Sequence, residues 1–237
     1  MNCIPCPARL RPTHLFKGPN MKRDARLLTI PMALWGASPA GAATEETQAW
    51  ITEQAILHAG DTNIVTIDSS QRIRSDGQSG GEQFLARVAI DHRITPALQL
   101  GGGIAYLRSE VDQEMRLFQQ ATWTSGIWIS RTRIEQRFFS TADEASWRLR
   151  QRVQAAAPID RAKRWTVIAA TEIFFHLNRA RPSDQTGLAT MRNQIGLRHP
   201  ITGMVDAQLL YMRQQNFRDG RPDTVAHIPW LTLSWRL

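Results

Sequence analysis

The run Ser125 to Ser140, SGIWISRTRIEQRFFS, places Arg131, Arg133, Glu135 and Arg137 at every second position. Residues 147–153, WRLRQRV, repeat the device with Arg148, Arg150 and Arg152. A guanidinium is a planar fork of N–H donors that engages carboxylate or phosphate oxygens two at a time. The chemistry such rows can do is therefore anion binding, or an enclosed lattice of arginine–carboxylate pairs. Glu172, Arg192 and Arg198 offer further members of such a network along the chain. A repeat of two is the period of a β-strand, whose side chains point alternately to opposite faces. Each row then lines one face of a strand. That face is either a basic outer surface for a polyanion, or one that looks into a place that is wet without being the outside.

Other residue types offer less. Gly77-Gln-Ser79-Gly-Gly81 matches G-x-S-x-G, but a nucleophile elbow needs a strand before it and a helix after it. Here the match sits in a polar, glycine-rich loop, and no active serine is expected. His58, His92, His176, His199 and His227 show no metal-ligand spacing, so neither metal nor cofactor is expected. His176 follows Glu172 on one strand face, but positions i and i+4 of a strand lie about 13 Å apart, too far for a direct acid–base pair. Gly101-Gly-Gly103 lacks the following helix of a phosphate loop and marks a strand bend or a close approach of bulky neighbours. No constellation for catalysis is visible, and the chain is not expected to be an enzyme.

The charge balance narrows the choice between the two faces. The chain has 29 Lys+Arg against 21 Asp+Glu, a formal charge of +8 that invites a nucleic-acid partner. Yet residues 1–43 differ from the rest. Met21-Lys-Arg-Asp-Ala-Arg is a short basic region, Leu27 to Trp35 is apolar, and Ala40-Gly-Ala42 is a small-x-small cleavage signature. This is the layout of a secretory signal peptide over 21–43, with residues 1–20 an over-extended start. Those 43 residues hold six basic residues and one acid, so residues 44–237 keep 23 basic against 20 acidic, or +3. Secretion and the lost basic excess argue against nucleic acid. Cys3 and Cys6 both lie in the leader, which excludes a disulfide scaffold or a thiolate site in residues 44–237. Residues 44–237 hold 22 arginines and one lysine, Lys163. Arginine suits enclosed, multidentate networks, whereas lysine suits open, strongly hydrated surface.

The elements that would position these residues are strands throughout. Alternation in segments of about 9–13 residues, broken by Gly, Pro, Asp and Ser, predicts strands near 49–58, 63–74, 84–94, 98–108, 113–123, 126–139, 146–156, 164–177, 188–198, 204–215 and 226–236. That is one all-β domain over 44–237. In 146–156, Trp147, Leu149 and Val153 oppose Arg148, Arg150 and Arg152; in 188–198, Met191, Ile195 and Leu197 oppose Arg192, Gln194 and Arg198.

Such a pattern has two owners. In a soluble, lipocalin-like barrel the apolar face points inward; in an outer-membrane barrel it meets lipid and the charges line the lumen. Three features favour the second. Trp123, Trp128, Trp147, Trp165 and Trp235 sit at strand ends on the apolar face, where interfacial girdles are built. Connections alternate between short and longer. The last strand ends on apolar Leu237 with Trp235 two residues before, similar to the assembly signal of outer-membrane barrels. The expected fold is a single antiparallel up-and-down transmembrane β-barrel of 10–12 strands. Because bacterial barrels are even-numbered, the eleven segments are expected to resolve into ten or twelve.

Phe118-Gln-Gln-Ala-Thr-Trp, Arg131-Thr-Arg-Ile-Glu-Gln-Arg-Phe, Trp147-Arg-Leu-Arg-Gln-Arg, Glu172, Arg192-Asn-Gln-Ile-Gly, Leu210-Tyr-Met and the early Trp50 together resemble the family called domain of unknown function 2490. The resemblance implies a barrel of the Gram-negative outer membrane and no particular activity. The expected role is structural or that of a narrow passive pore lined by Arg and Glu. An outer-membrane enzyme acting on lipid or peptide and a secreted lipocalin-like binder are the alternatives. The expected partners are outer-membrane lipid and the barrel-assembly machinery, with no subunit number specified.

Overall fold

The computed structural model describes residues 43–74 and 81–237. The leader expected over 1–43 falls outside the described residues except for its last position, as does the G-x-S-x-G match except for Gly81. Among the described residues eleven strands follow one another: β1 (Thr44–Ala59), β2 (Asn63–Arg74), β3 (Gln83–Arg93), β4 (Leu98–Arg108), β5 (Gln113–Ser125), β6 (Trp128–Phe139), β7 (Ser146–Pro158), β8 (Thr166–His176), β9 (Gly187–Pro200), β10 (Val205–Asn216) and β11 (Thr224–Arg236). Each predicted segment is a strand with its ends displaced by a few residues. Alternation and β-branched or aromatic content, as in TVIAATEIFFH of β8, suit a pleated surface with two unlike faces.

Sequence neighbours pair antiparallel, and β1 meets β11 to close a barrel. An odd number of strands joined by hairpins leaves the first and the last pointing the same way. The closing pair is accordingly parallel. This corrects the expected parity: β1 is a full strand, no segment hides two, and eleven close through one parallel seam. The seam register runs from Thr44↔Thr224 to Thr47↔His227, lapses, and resumes at Trp50↔Trp230. Pro229, which has no N–H to donate, lies in the lapse.

The barrel is apolar outside and polar inside. Ile67, Ile90, Ile104, Leu117, Ile195 and Leu209 are exposed, whereas Asp68, Glu114, Arg133, Glu135, Arg148 and Glu172 are buried. A soluble, lipocalin-like barrel would have these faces reversed. One inner wall, under β1, β10 and β11, is itself apolar: Trp50, Met212, Ala226 and Ile228 cluster there with Trp230 packed against them. The two ends also differ. One carries the connections 60–62, 94–97, 126–127, 159–165 and 201–204; the other carries the generally longer 75–82, 109–112, 140–145, 177–186 and 217–223. We call them the turn end and the loop end. Gly126 makes the tightest connection possible, its φ of +58° suiting a two-residue hairpin between β5 and β6.

Candidate functional site: the arginine-lined lumen

Register brings the arginine rows side by side. Arg131 of β6 stands opposite Arg152 of β7, which faces Glu172 of β8, which faces Arg192 of β9. In the next rows Arg133 opposes Arg150, and Glu135 opposes Arg148. Like charges directly opposite one another repel, so the rows hold only if carboxylates answer them. Glu135, 1% exposed, does so for three arginines: it accepts from Arg148 Nε at 2.7 Å and Arg150 Nη1 at 2.7 Å, with Arg133 at 3.6 Å. Glu172, 2% exposed, accepts from Arg150 at 2.8 Å and Arg131 at 3.3 Å, with Arg192 at 4.0 Å. Arg150 thus bridges the two glutamates.

The lattice extends beyond these rows. Glu114 takes both donors of Arg116, at 2.7 and 2.6 Å, and also pairs with Arg137. Asp68 pairs with Arg87 at 2.7 Å. Arg133 donates to Gln120 at 3.0 and 2.6 Å, and the Gln120 amide donates to Asp91 at 2.7 Å. Aromatic rings occupy what remains of the interior. Arg133 lies 4.1 Å over Phe118, and Phe174 carries Arg150 at 4.5 Å and Arg192 at 4.7 Å. Guanidinium groups over aromatic faces gain cation–π attraction, most when desolvated. Gly103 of β4 makes room for this packing: a Cβ there would run into the Val88 carbonyl and come within 2.8 Å of the Phe118 ring. The glycine run is a close approach.

Within this interior lies a cavity of about 310 Å³. Among the described residues nine arginines line it, including Arg72, Arg87, Arg116 and Arg192, against three carboxylates, Asp68, Glu135 and Glu172. A second cavity, of about 420 Å³, opens at the loop end between Gln83, Leu107, Glu114, Arg137 and Phe139. The arginine lattice therefore borders both. Above it, Arg181 from 177–186 pairs with Asp112, meets Thr141, and lies 4.5 Å over Phe139, tying three connections together. Partial burial acts to raise the Asp112 carboxyl, but donors from Ser140, Arg181 and Thr141 outweigh it and hold the group below its usual range.

Of the residues expected to form the network, Arg131, Arg133, Glu135, Arg137, Arg148, Arg150, Glu172 and Arg192 meet as ion pairs. Arg152 forms no ion pair with them among the described residues; it donates to Gln154 at 2.8 Å and lines the same cavity. Arg198 is exposed near the turn end and stands apart from it. Asp206 is taken by Arg236. His176 sits 3.4 Å from Arg137, while Glu172 is taken up by arginines, so the two do not form a pair. Trp123, Trp128, Trp147 and Trp165 are exposed on the outer face, and Trp235 is half-buried there. All but Trp147 gather at the turn end, where Trp165 stacks on His199 at 4.2 Å. The sequence reading missed Arg72, Arg87, Arg116, Asp68 and Glu114, all on the polar faces of their strands and findable by the same alternation. It also missed Trp50, Phe118 and Phe174 as interior residues, because a lone aromatic in a polar row carries no periodic signal.

A family model described as "Protein of unknown function (DUF2490)" matches residues 47–225. The chain belongs to this family. The DUF2490 segment contains the whole arginine lattice and Trp50, and it stops short of Trp235. An uncharacterized protein of Methylorubrum extorquens is 31% identical over 209 residues, covering 82% of this chain and 90% of that protein. Among solved structures, the porin NanC superposes with a TM-score of 0.52 at 10% identity, over 75% of this chain and 92% of the porin. At that identity the likeness is one of fold: this DUF2490 chain is a porin-like β-barrel.

Proposed function

We propose that this protein is a barrel of the Gram-negative outer membrane whose lumen is a narrow, anion-favouring passage. The observation that carries the reading is the nine-to-three excess of arginine over carboxylate around the lumen cavity. Rings of fixed positive charge in a constricted pore favour anions and oppose cations. The outer face supports the membrane setting. Trp128 and Phe138 stand ten residues apart on the exposed face of β6. At about 3.3 Å per residue and a tilt near 40°, that separation spans the roughly 25 Å of an outer-membrane apolar band. Its partners in this reading are lipid, along the exposed apolar rows, and the machinery that inserts such barrels. The crowding of the lumen by Phe118, Phe174 and Trp50 makes the passage narrow and its unit conductance small.

The test is single-channel recording in planar bilayers under a KCl gradient. The expected result is a small conductance with a reversal potential on the chloride side, and Arg133→Glu shifts that potential toward potassium. Absence of any conductance above the empty bilayer rejects the passage and leaves a structural barrel.

A further inference from the structure

The positive charge around the lumen cavity is unevenly answered. Arg87, Arg148, Arg150 and Arg131 each reach a carboxylate within 3.3 Å. Among the described residues Arg72 does not. Its Nη1 donates to Gln83 at 3.3 Å, and its buried Nε has no hydrogen-bond partner there. Arg192 gives its Nε to Gln214 at 2.7 Å and approaches Glu172 only at 4.0 Å. Yet both guanidinium groups lie on one ring, Arg72 at 4.1 Å and Arg192 at 5.1 Å from the Trp50 centroid. They are therefore at most about 9 Å apart, a gap that one oxyanion, or a solute with two, bridges.

Two incompletely paired charges held this close in a buried wall repel one another, and arginine cannot escape by losing its proton. The indole supplies attraction to each, but cation–π contacts do not neutralise charge. Trp50 is itself fixed: its Nε1 donates to Gln48 at 3.0 Å, and its edge meets Trp230 at 5.5 Å across the β1–β11 seam. The aromatic platform is thus rigid, its cations are preorganised, and a volume of about 310 Å³ adjoins them. That volume is at the small end of ligand pockets, suited to a compact solute.

We infer that Arg72 and Arg192, set on Trp50, form a saturable binding site for a small solute carrying at least two carboxylate or phosphate groups. The site deepens the anion-favouring passage and rests on the same inward-facing charge. It differs in requiring occupancy at defined residues and not merely a favourable potential along the lumen.

The test is isothermal titration calorimetry on the full chain, expressed in a Gram-negative host and purified in detergent. Citrate and pyrophosphate are the probes, with NaCl at matched ionic strength and glycerol as controls. Citrate, pyrophosphate or both bind with one-to-one stoichiometry, and which of them binds assigns carboxylate or phosphate as the preferred group. Arg72→Gln and Arg192→Gln each weaken binding about tenfold, the factor expected for losing a charge-assisted hydrogen-bonding partner. Arg164→Gln, in the exposed turn after β7, leaves binding unchanged. If an Arg72 or Arg192 variant does not fold, the wild-type titration decides: heats no larger than those of NaCl overturn the site. Equal binding by wild type and both folded variants overturns it as well. Chloride-selective conductance without citrate or pyrophosphate binding removes the site and spares the passage; binding without conductance does the reverse.

Discussion

Glu135 answers Arg148, Arg150 and Arg133 from a position almost wholly shielded from solvent. A buried ion pair adds little net stability over an apolar substitute, because desolvation offsets most of the attraction. Removing one partner, by contrast, strands the other charge. Glu135→Gln keeps the shape but leaves Arg148 and Arg133 without their carboxylate and Arg150 with Glu172 alone. It is expected to lower folding stability by about 3–5 kcal/mol, read as a reduced midpoint in denaturant titration of the folded barrel. Arg198→Gln, at an exposed residue outside the lattice, is expected to change stability by less than about 0.5 kcal/mol in the same assay. Equal effects of the two substitutions would reject the lattice as a stabilising unit.

Among elements, β4 and the seam carry the consequences. Gly103 sits where a side chain would collide with the Val88 carbonyl and displace Phe118, the ring that supports Arg133. Gly103→Val therefore overpacks the interior and is expected to cost about 1–3 kcal/mol, measured by the same denaturant titration. Restored stability on adding Phe118→Ala would identify the ring as the obstacle. The seam shows a different economy. Its ladder lapses around Pro229, and the interior restores what the backbone omits: Trp230 Nε1 donates to Thr52 at 2.9 Å across the two strands, beside the Trp50–Trp230 contact. The apolar inner wall of Met212, Ala226 and Ile228 backs this joint, so the closure least like its neighbours is supported by an apolar cluster from inside.

For the whole molecule, the ordering of faces is the property with the widest reach. Ile104 is 50% exposed near the middle of β4, and its cross-strand neighbours Val88 and Leu117 are exposed with it. In a soluble protein a charge there would be harmless. In a bilayer, Arg near the midplane of a barrel's outer face costs about 2–4 kcal/mol. Ile104→Arg is expected to lower the stability of the barrel folded into lipid vesicles by that amount. An unchanged midpoint in vesicles would argue that this face does not meet hydrocarbon.

Much of this was legible without coordinates. Side-chain alternation is a local property of the chain, so every strand, the sharing of one face by Arg131 to Arg137 and Arg148 to Arg152, and the place of Trp123, Trp128, Trp147 and Trp165 on the opposite face followed from a period of two; the strand-end tryptophans and alternating connections then favoured the arginine face as the inner one. Residue types alone likewise required the arginines to find carboxylates or water, since a guanidinium keeps its charge. Only the tertiary structure decided which carboxylate answers which arginine, because partners such as Arg150 and Glu135 are paired by register between strands. Closure by a parallel seam was likewise beyond local pattern, as it depends on where the first and last strands meet. So was the placing of Trp50 beneath Arg72 and Arg192. Trp50 and Arg72 face each other across the β1–β2 hairpin, but β9 brings Arg192 to them only because the barrel closes, and closure is a property of the whole circumference.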